Sequence, residues 1–173
     1  MMSNNFEYPI VGFDVSFNEI PDKLSLCISL GNCQNRCPGC HSPELQKKVD
    51  NLMSLDKVVE YAEEYVSKGA NAICIMGGLD NGVSLPALEA LIKALSDIAP
   101  VGIYHASVTD VFDNNPYLTW LKTGIYINSL GGLESKNTNQ RMYQRSLIYS
   151  INKKEGINTT LHWNDITYKF WER

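Results

Sequence analysis

No window of this sequence approaches the roughly eighteen consecutive apolar residues that a membrane span requires, and Met1 to Asp14 hold no apolar stretch of signal-peptide type. Both absences lead us to expect a cytoplasmic protein. There is no basic excess: 15 Lys and Arg stand against 19 Asp and Glu, for a net charge of -4 and a pI near 5.3. That balance lacks the electrostatic footprint of a nucleic-acid binder. Internal repeats, low-complexity tracts and linkers are also missing, so the 173 residues are expected to form one domain. Cysteine is scarce and odd in number: Cys27, Cys33, Cys37, Cys40 and Cys74, three of them within eight residues. Secreted disulfide frameworks are not spaced this way, which makes metal or redox chemistry the leading reading.

What is present suits an α/β fold. Apolar and aromatic residues make up 44% of the chain, and a chain of this length buries roughly 70% of its unfolded surface, enough for a core without disulfides. Lys23 to Leu30 alternates in the manner of a strand. Ser54 caps a helix with apolar positions at helical spacing up to Gly69, and Ala70 to Met76 is a short apolar run ending at Gly77-Gly78. Ser84 starts a second helix that Pro100 ends, and Val101 to His105 reads as a third strand. A short helix is expected near Pro116 to Leu121, a fourth strand over Gly124 to Asn128, and a hairpin or irregular tail after Ser146, broken by Asn152 to Gly156. Strands alternating with helices at these spacings imply parallel βαβ units, with ligands at the C-terminal ends of the strands.

Four chemistries could use the run Gly31 to Glu44, GNCQNRCPGCHSPE. Cys37-Pro-Gly-Cys40-His41 has the form of a c-type haem attachment site, but that reading leaves Cys33 without a role. A thioredoxin-like dithiol at Cys37 and Cys40 should open a helix, which Pro43 and Cys33 fit poorly. A Cys3His zinc site would include His41, whose adjacency to Cys40 makes a tetrahedron awkward to close. An iron–sulfur cluster held by three thiolates leaves one iron open to a substrate, as an electron-donating centre requires.

The spacing Cys-x3-Cys-x2-Cys is also the signature of the radical S-adenosylmethionine (SAM) superfamily. The segment Cys33 to Leu45, CQNRCPGCHSPEL, resembles the activating proteins of anaerobic ribonucleoside-triphosphate reductase, a group that accepts glycine where the superfamily usually has an aromatic residue, here Gly39. Phe13 to Leu30, with Glu19-Ile20-Pro21, is similar to one branch of these activators. So are Gly124-Ile125-Tyr126-Ile127, Gly131-Gly132-Leu133-Glu134-Ser135 and Thr138-Asn139-Gln140-Arg141.

The resemblance implies a single radical SAM domain over residues 1–173, a partial parallel (βα) barrel with its core over about 10–141 and a C-terminal tail over 142–173, read as a β-hairpin. It implies one [4Fe-4S] cluster on Cys33, Cys37 and Cys40, and SAM bound near Gly39, Cys40, His41, Gly77 and Gly78. No side chain is then catalytic, because the radical is carried by the cofactor. The expected partners are the large anaerobic reductase subunit, which receives a glycyl radical, and an electron donor such as flavodoxin or ferredoxin. The family's acidic residue directly follows the glycine pair, whereas here Leu79 precedes Asp80. Cys27 and Cys74 read as small core residues, and His162 with Trp163 as packing. His105 reads as a hydrogen-bonded core or edge residue within reach of the SAM ribose, as are Ser107 and Asp110. Arg141 is a candidate clamp for a carboxylate. The alternative reading is a cytoplasmic Cys-rich module that binds zinc or works as a dithiol.

Overall fold

A computed structural model describes residues 5–107, 111–152 and 156–172. Its elements run β1 (Glu7–Tyr8), β2 (Ile10–Ser16), β3 (Ser25–Leu30), β4 (Met53–Ser54), α1 (Leu55–Ser67), β5 (Ala72–Met76), α2 (Leu85–Ser96), β6 (Val101–Tyr104), β7 (Leu118–Thr123), β8 (Arg141–Asn152) and β9 (Gly156–Asp165). The main sheet has seven strands in the order β2-β3-β5-β6-β7-β8-β9. Its middle, β3-β5-β6-β7, is parallel, and β2, β8 and β9 are added antiparallel at the two sides. The α/β class is therefore observed, in a mixed sheet.

Strand periodicity assigns each side chain to a face. Leu26, Ile28 and Leu30 on β3, Ile73 and Ile75 on β5, Ile103 on β6 and Leu121 on β7 point toward Val58 and Ala62 of α1 and Leu88, Leu91, Ile92 and Leu95 of α2, all buried. Both helices begin where serine supplies a cap: Ser54 accepts from the Lys57 amide and Ser84 from the Ala87 amide. The opposite face carries Cys27, Cys74, Trp120 and Met142, covered by Ile20, Leu133, Ile166 and Phe170. No helix among the described residues is long and apolar enough to cross a membrane.

Two sequence expectations are corrected. The helix near Pro116 to Leu121 is instead β7, parallel to β6, because Thr119, Trp120 and Thr123 favour a pleated surface and a lone six-residue helix could not hold itself together. The strand over Gly124 to Asn128 is a turn with one isolated bridge, Ile127 to Gly131. Gly124 ends β7 at φ 94, where a Cβ would stand 3.0 Å from the Asn139 carbonyl. The edge strand β2 is not among the expected elements, although Val11, Phe13 and Val15 alternate with Gly12, Asp14 and Ser16. The final segment is a hairpin, β8 with β9, and Lys153 to Glu155 at its turn lie outside the described residues.

Tyr8 is buried, with its hydroxyl donating to the Ala87 carbonyl at 2.8 Å, and burial raises its pKa from 10.0 to about 12. The folded chain thus keeps this proton after the unfolded chain has lost it, so stability falls between about pH 10 and about pH 12. Tyr8→Phe is expected to cost about 1 kcal/mol at neutral pH and to remove that part of the alkaline loss, as read by urea unfolding across the range.

Candidate functional site

The cysteine loop begins where β3 ends, and backbone geometry shapes it. Asn32 adopts φ 62, and its amide and that of Cys33 donate to the carbonyls of Lys47 and Leu45 at 2.8 and 2.8 Å. The outgoing and returning strands of the loop are thereby stitched together around Cys33 to Leu45. Within it, Cys37-Pro38-Gly39-Cys40 forms a tight turn, with the Cys40 amide donating to the Cys37 carbonyl at 3.2 Å. Pro38 presets the first turn position and Gly39, at φ 68, supplies the left-handed second one. A Cβ at Gly39 would also lie 2.7 Å from Asn128 Oδ1. A larger side chain is strained here, and Tyr126, from the turn after β7, brings a ring to the neighbouring His41, tilted at 44° with centroids 4.5 Å apart.

The second wall is the turn after β5. Gly77 adopts φ 113, and a Cβ there would meet Asn81 Oδ1 at 2.5 Å. Asn81 is buried, accepts from the Gly78 amide at 2.8 Å and donates through Nδ2 to the carbonyls of Leu30 and Gly31 at 2.7 and 2.8 Å. One amide side chain therefore joins the glycine turn to the start of the cysteine loop. The Gly77 amide donates to the Tyr104 carbonyl at 3.1 Å. Both glycine N–H groups are engaged and the Gly78 carbonyl accepts from the Asn81 backbone amide at 3.0 Å, which leaves the Gly77 carbonyl as the acceptor that would suit a ligand amino group.

These walls enclose one cavity of about 540 Å³, and Cys33, Cys37, Cys40, His41, Gly77 and Gly78 all line it. Asp80 lines it too despite the inserted Leu79, because a single helical turn, Leu79–Asn81, brings it round. His105 does not line it. It is buried behind Gly78, with Nδ1 against the Ser107 backbone and its ring edge on Phe112, and Nε2 has no partner among the described residues. Ser107 is exposed and donates to Asp80, while Asp110 lies outside the described residues. His162 is exposed, and Trp163 stacks with Arg145.

The segment after β7 closes the cavity with Gly132, Leu133, Glu134 and Gln140. Its Thr138 to Arg141 run is spent on its own fold: Thr138 Oγ1 donates to the Gly131 carbonyl, Asn139 to Ile125 and Gln140 to Gly124. The Arg141 guanidinium donates to the carbonyls of Thr138 and Gln140, each at 2.7 Å, and faces Asp165 at 3.7 Å. Arg141 thus braces the loop through Nη1 and faces the carboxylate of Asp165 within the chain, and it is not among the residues that line the cavity.

Lys122 is the residue that sequence reading missed. It lies on β7, lines the cavity, is buried, and donates to the Gly124 carbonyl at 2.8 Å. Burial lowers its pKa from 10.5 to about 8, while negative charge on Cys37, Cys40, Glu19 and Cys74 acts in the opposite direction. Burial likewise raises the Cys37 thiol, helped by Cys40 and Cys33 and opposed by the Tyr126 backbone. The three thiols thus share one electrostatic neighbourhood with an ammonium group.

Among the described residues no three His, Cys, Asp or Glu side chains converge on a point where one metal ion could sit. A mononuclear zinc site needs such convergence, whereas three thiolates on a cubane each hold a different iron and need only face a common volume. Three thiols lining one cavity are the donor set that a three-cysteine cluster would use. No protein-family model, curated protein or solved structure matches the chain.

Asn81→Ala removes the partner of one amide and two carbonyls, and is expected to cost at least about 2 kcal/mol in urea unfolding. Asn81→Asp should not rescue it, since a carboxylate would face the Leu30 and Gly31 carbonyls. For Lys122 the sign is opposite. Below about pH 8 the folded chain bears the full cost of a buried charge, and between about 8 and 10.5 the unfolded chain binds the extra proton, so this contribution to stability rises with pH. Lys122→Met should therefore exceed wild type in stability at about pH 7, by a margin that narrows by about pH 9.5. A margin independent of pH would contradict the assignment.

Proposed function

We propose that the chain is a radical SAM activase of the anaerobic ribonucleoside-triphosphate reductase type, acting in the cytoplasm. The observation that carries this reading is that the three loop cysteines and the glycine turn after β5, far apart in sequence, line the same cavity. Cys33, Cys37 and Cys40 would hold a [4Fe-4S] cluster. When bound, the cluster and SAM would supply the chemistry, namely one-electron reductive cleavage of the sulfonium C5′–S bond and hydrogen abstraction from a glycine of the reductase.

The chain's own residues bind and orient. The Gly77 carbonyl and the Asp80 carboxylate suit the amino group of SAM, and the Lys122 ammonium suits its carboxylate, so the walls match a zwitterion. His41 and Tyr126, tilted against each other with centroids 4.5 Å apart, would offer ring surface to the adenine beside the turn at Gly39. Leu133 and Phe170 exclude water from one side of the cavity. The four parallel strands would be the surviving part of a (βα) barrel, open on one side so that a glycine-bearing loop of the large reductase subunit can enter. A flavodoxin or ferredoxin would deliver the electron.

Cys33→Ala, Cys37→Ala and Cys40→Ala are each expected to abolish 5′-deoxyadenosine release with dithionite as reductant, because two thiolates do not retain the cluster. Anaerobically purified wild type should contain iron and sulfide in equal amounts and be brown. A colourless protein with stoichiometric zinc would establish the binding-module alternative. Loss of the glycyl-radical signal on mixing with the reductase, while SAM cleavage persists, would place the substrate elsewhere.

A further inference from the structure

The sheet face turned away from the helices carries a second group of sulfurs. Cys27 on β3 and Cys74 on β5 are direct register partners on adjacent parallel strands, so their side chains lie side by side, and the two thiols interact. Met76, two residues after Cys74 and hence on the same face, places its Sδ 3.5 Å from Cys74 Sγ. Cys27 is 6% and Cys74 0% exposed. We propose that Cys27, Cys74 and Met76 form a trigonal site for a soft monovalent cation, Cu(I), separate from the loop cysteines and independent of their role.

Ligand softness selects the metal. Two thiolates and a thioether prefer Cu(I), whereas Mg²⁺, Ca²⁺ and Mn²⁺ want oxygen ligands. Spacing agrees: sulfurs about 2.3 Å from a shared metal stand somewhat under about 4 Å from one another, and Cys74 and Met76 are already at 3.5 Å. Charge agrees as well. Cu(I) with two thiolates and one thioether carries one negative charge, and the Lys122 ammonium, electrostatically linked to Cys74, lies buried nearby to offset it. Met76 also lines the cavity, so its thioether gives an incoming ion a first ligand from which Cys74 can take it. Binding replaces two S–H bonds with two Cu–S bonds and releases two protons to solvent. No oxidation state changes.

The test is an anaerobic titration of cluster-free full-length protein with Cu(I) delivered as its bathocuproine complex. Because the loop cysteines also bind copper, the informative background is Cys33→Ser/Cys37→Ser/Cys40→Ser. That variant should take up one Cu(I) per chain, with X-ray absorption showing sulfur alone at about 2.3 Å. Adding Cys27→Val should abolish the tight site, and adding Met76→Leu should weaken it by about 10-fold or more. A folded triple variant that takes no copper, an oxygen or nitrogen shell, or indifference to Cys27→Val would overturn the proposal. Should the triple variant not fold, Cys27→Val in the otherwise native chain must lower the copper stoichiometry by one, and an unchanged stoichiometry overturns it equally.

Discussion

The architecture of the site depends on one buried side-chain amide. Asn81 bonds the Gly78 amide with its oxygen and the carbonyls at the end of β3 with its nitrogen. Those carbonyls belong to Leu30 and Gly31, directly ahead of the cysteine loop, so the position of Cys33 relative to Gly77 is set by these bonds. Backbone bonds extend the tie: the Gln34 amide donates to the Asp80 carbonyl at 2.9 Å. A buried network of this kind is costly when half-made, and here both N–H donors and the oxygen of the amide are used.

The two faces of the sheet divide the labour. Toward the helices, β-branched and leucine side chains of β3, β5, β6 and β7 form a dry core with α1 and α2. Toward the other side, the same strands present cysteine, methionine, tyrosine and lysine, and the covering segments leave a cavity. Parallel strands bring this about naturally, because alternate residues of each buried strand must face opposite ways and the strand ends share one rim. A lysine on that face is tolerated because it finds the Gly124 carbonyl and lies over the Tyr104 ring at 5.8 Å. Its charge remains expensive to bury, a cost consistent with a binding role for the cation.

Two places where the sequence differs from the superfamily pattern it resembles have physical counterparts. Glycine replaces an aromatic residue before Cys40 because the turn needs a positive φ and Asn128 occupies the space. The aromatic ring comes instead from Tyr126, whose turn no local pattern would have paired with residue 41. Leu79 displaces Asp80 by one position, and the single helical turn that follows restores the carboxylate to the cavity wall.

By itself the sequence determined the α/β class, both helices with their serine caps, three of the parallel strands and the place of the cysteine loop at the end of β3. Each of these rests on local information: side-chain periodicity, capping and the pattern of residues along a short stretch. Tertiary structure alone decided that Leu118–Thr123 is a strand, since its length permits either state and pairing with β6 selects one. It also decided the roles of Asn81, Lys122 and Tyr126, and the juxtaposition of Cys27 with Cys74. Their partners lie 50, 51 or more residues away, or across a sheet, and contacts at that separation are fixed by strand order and register rather than by neighbouring sequence.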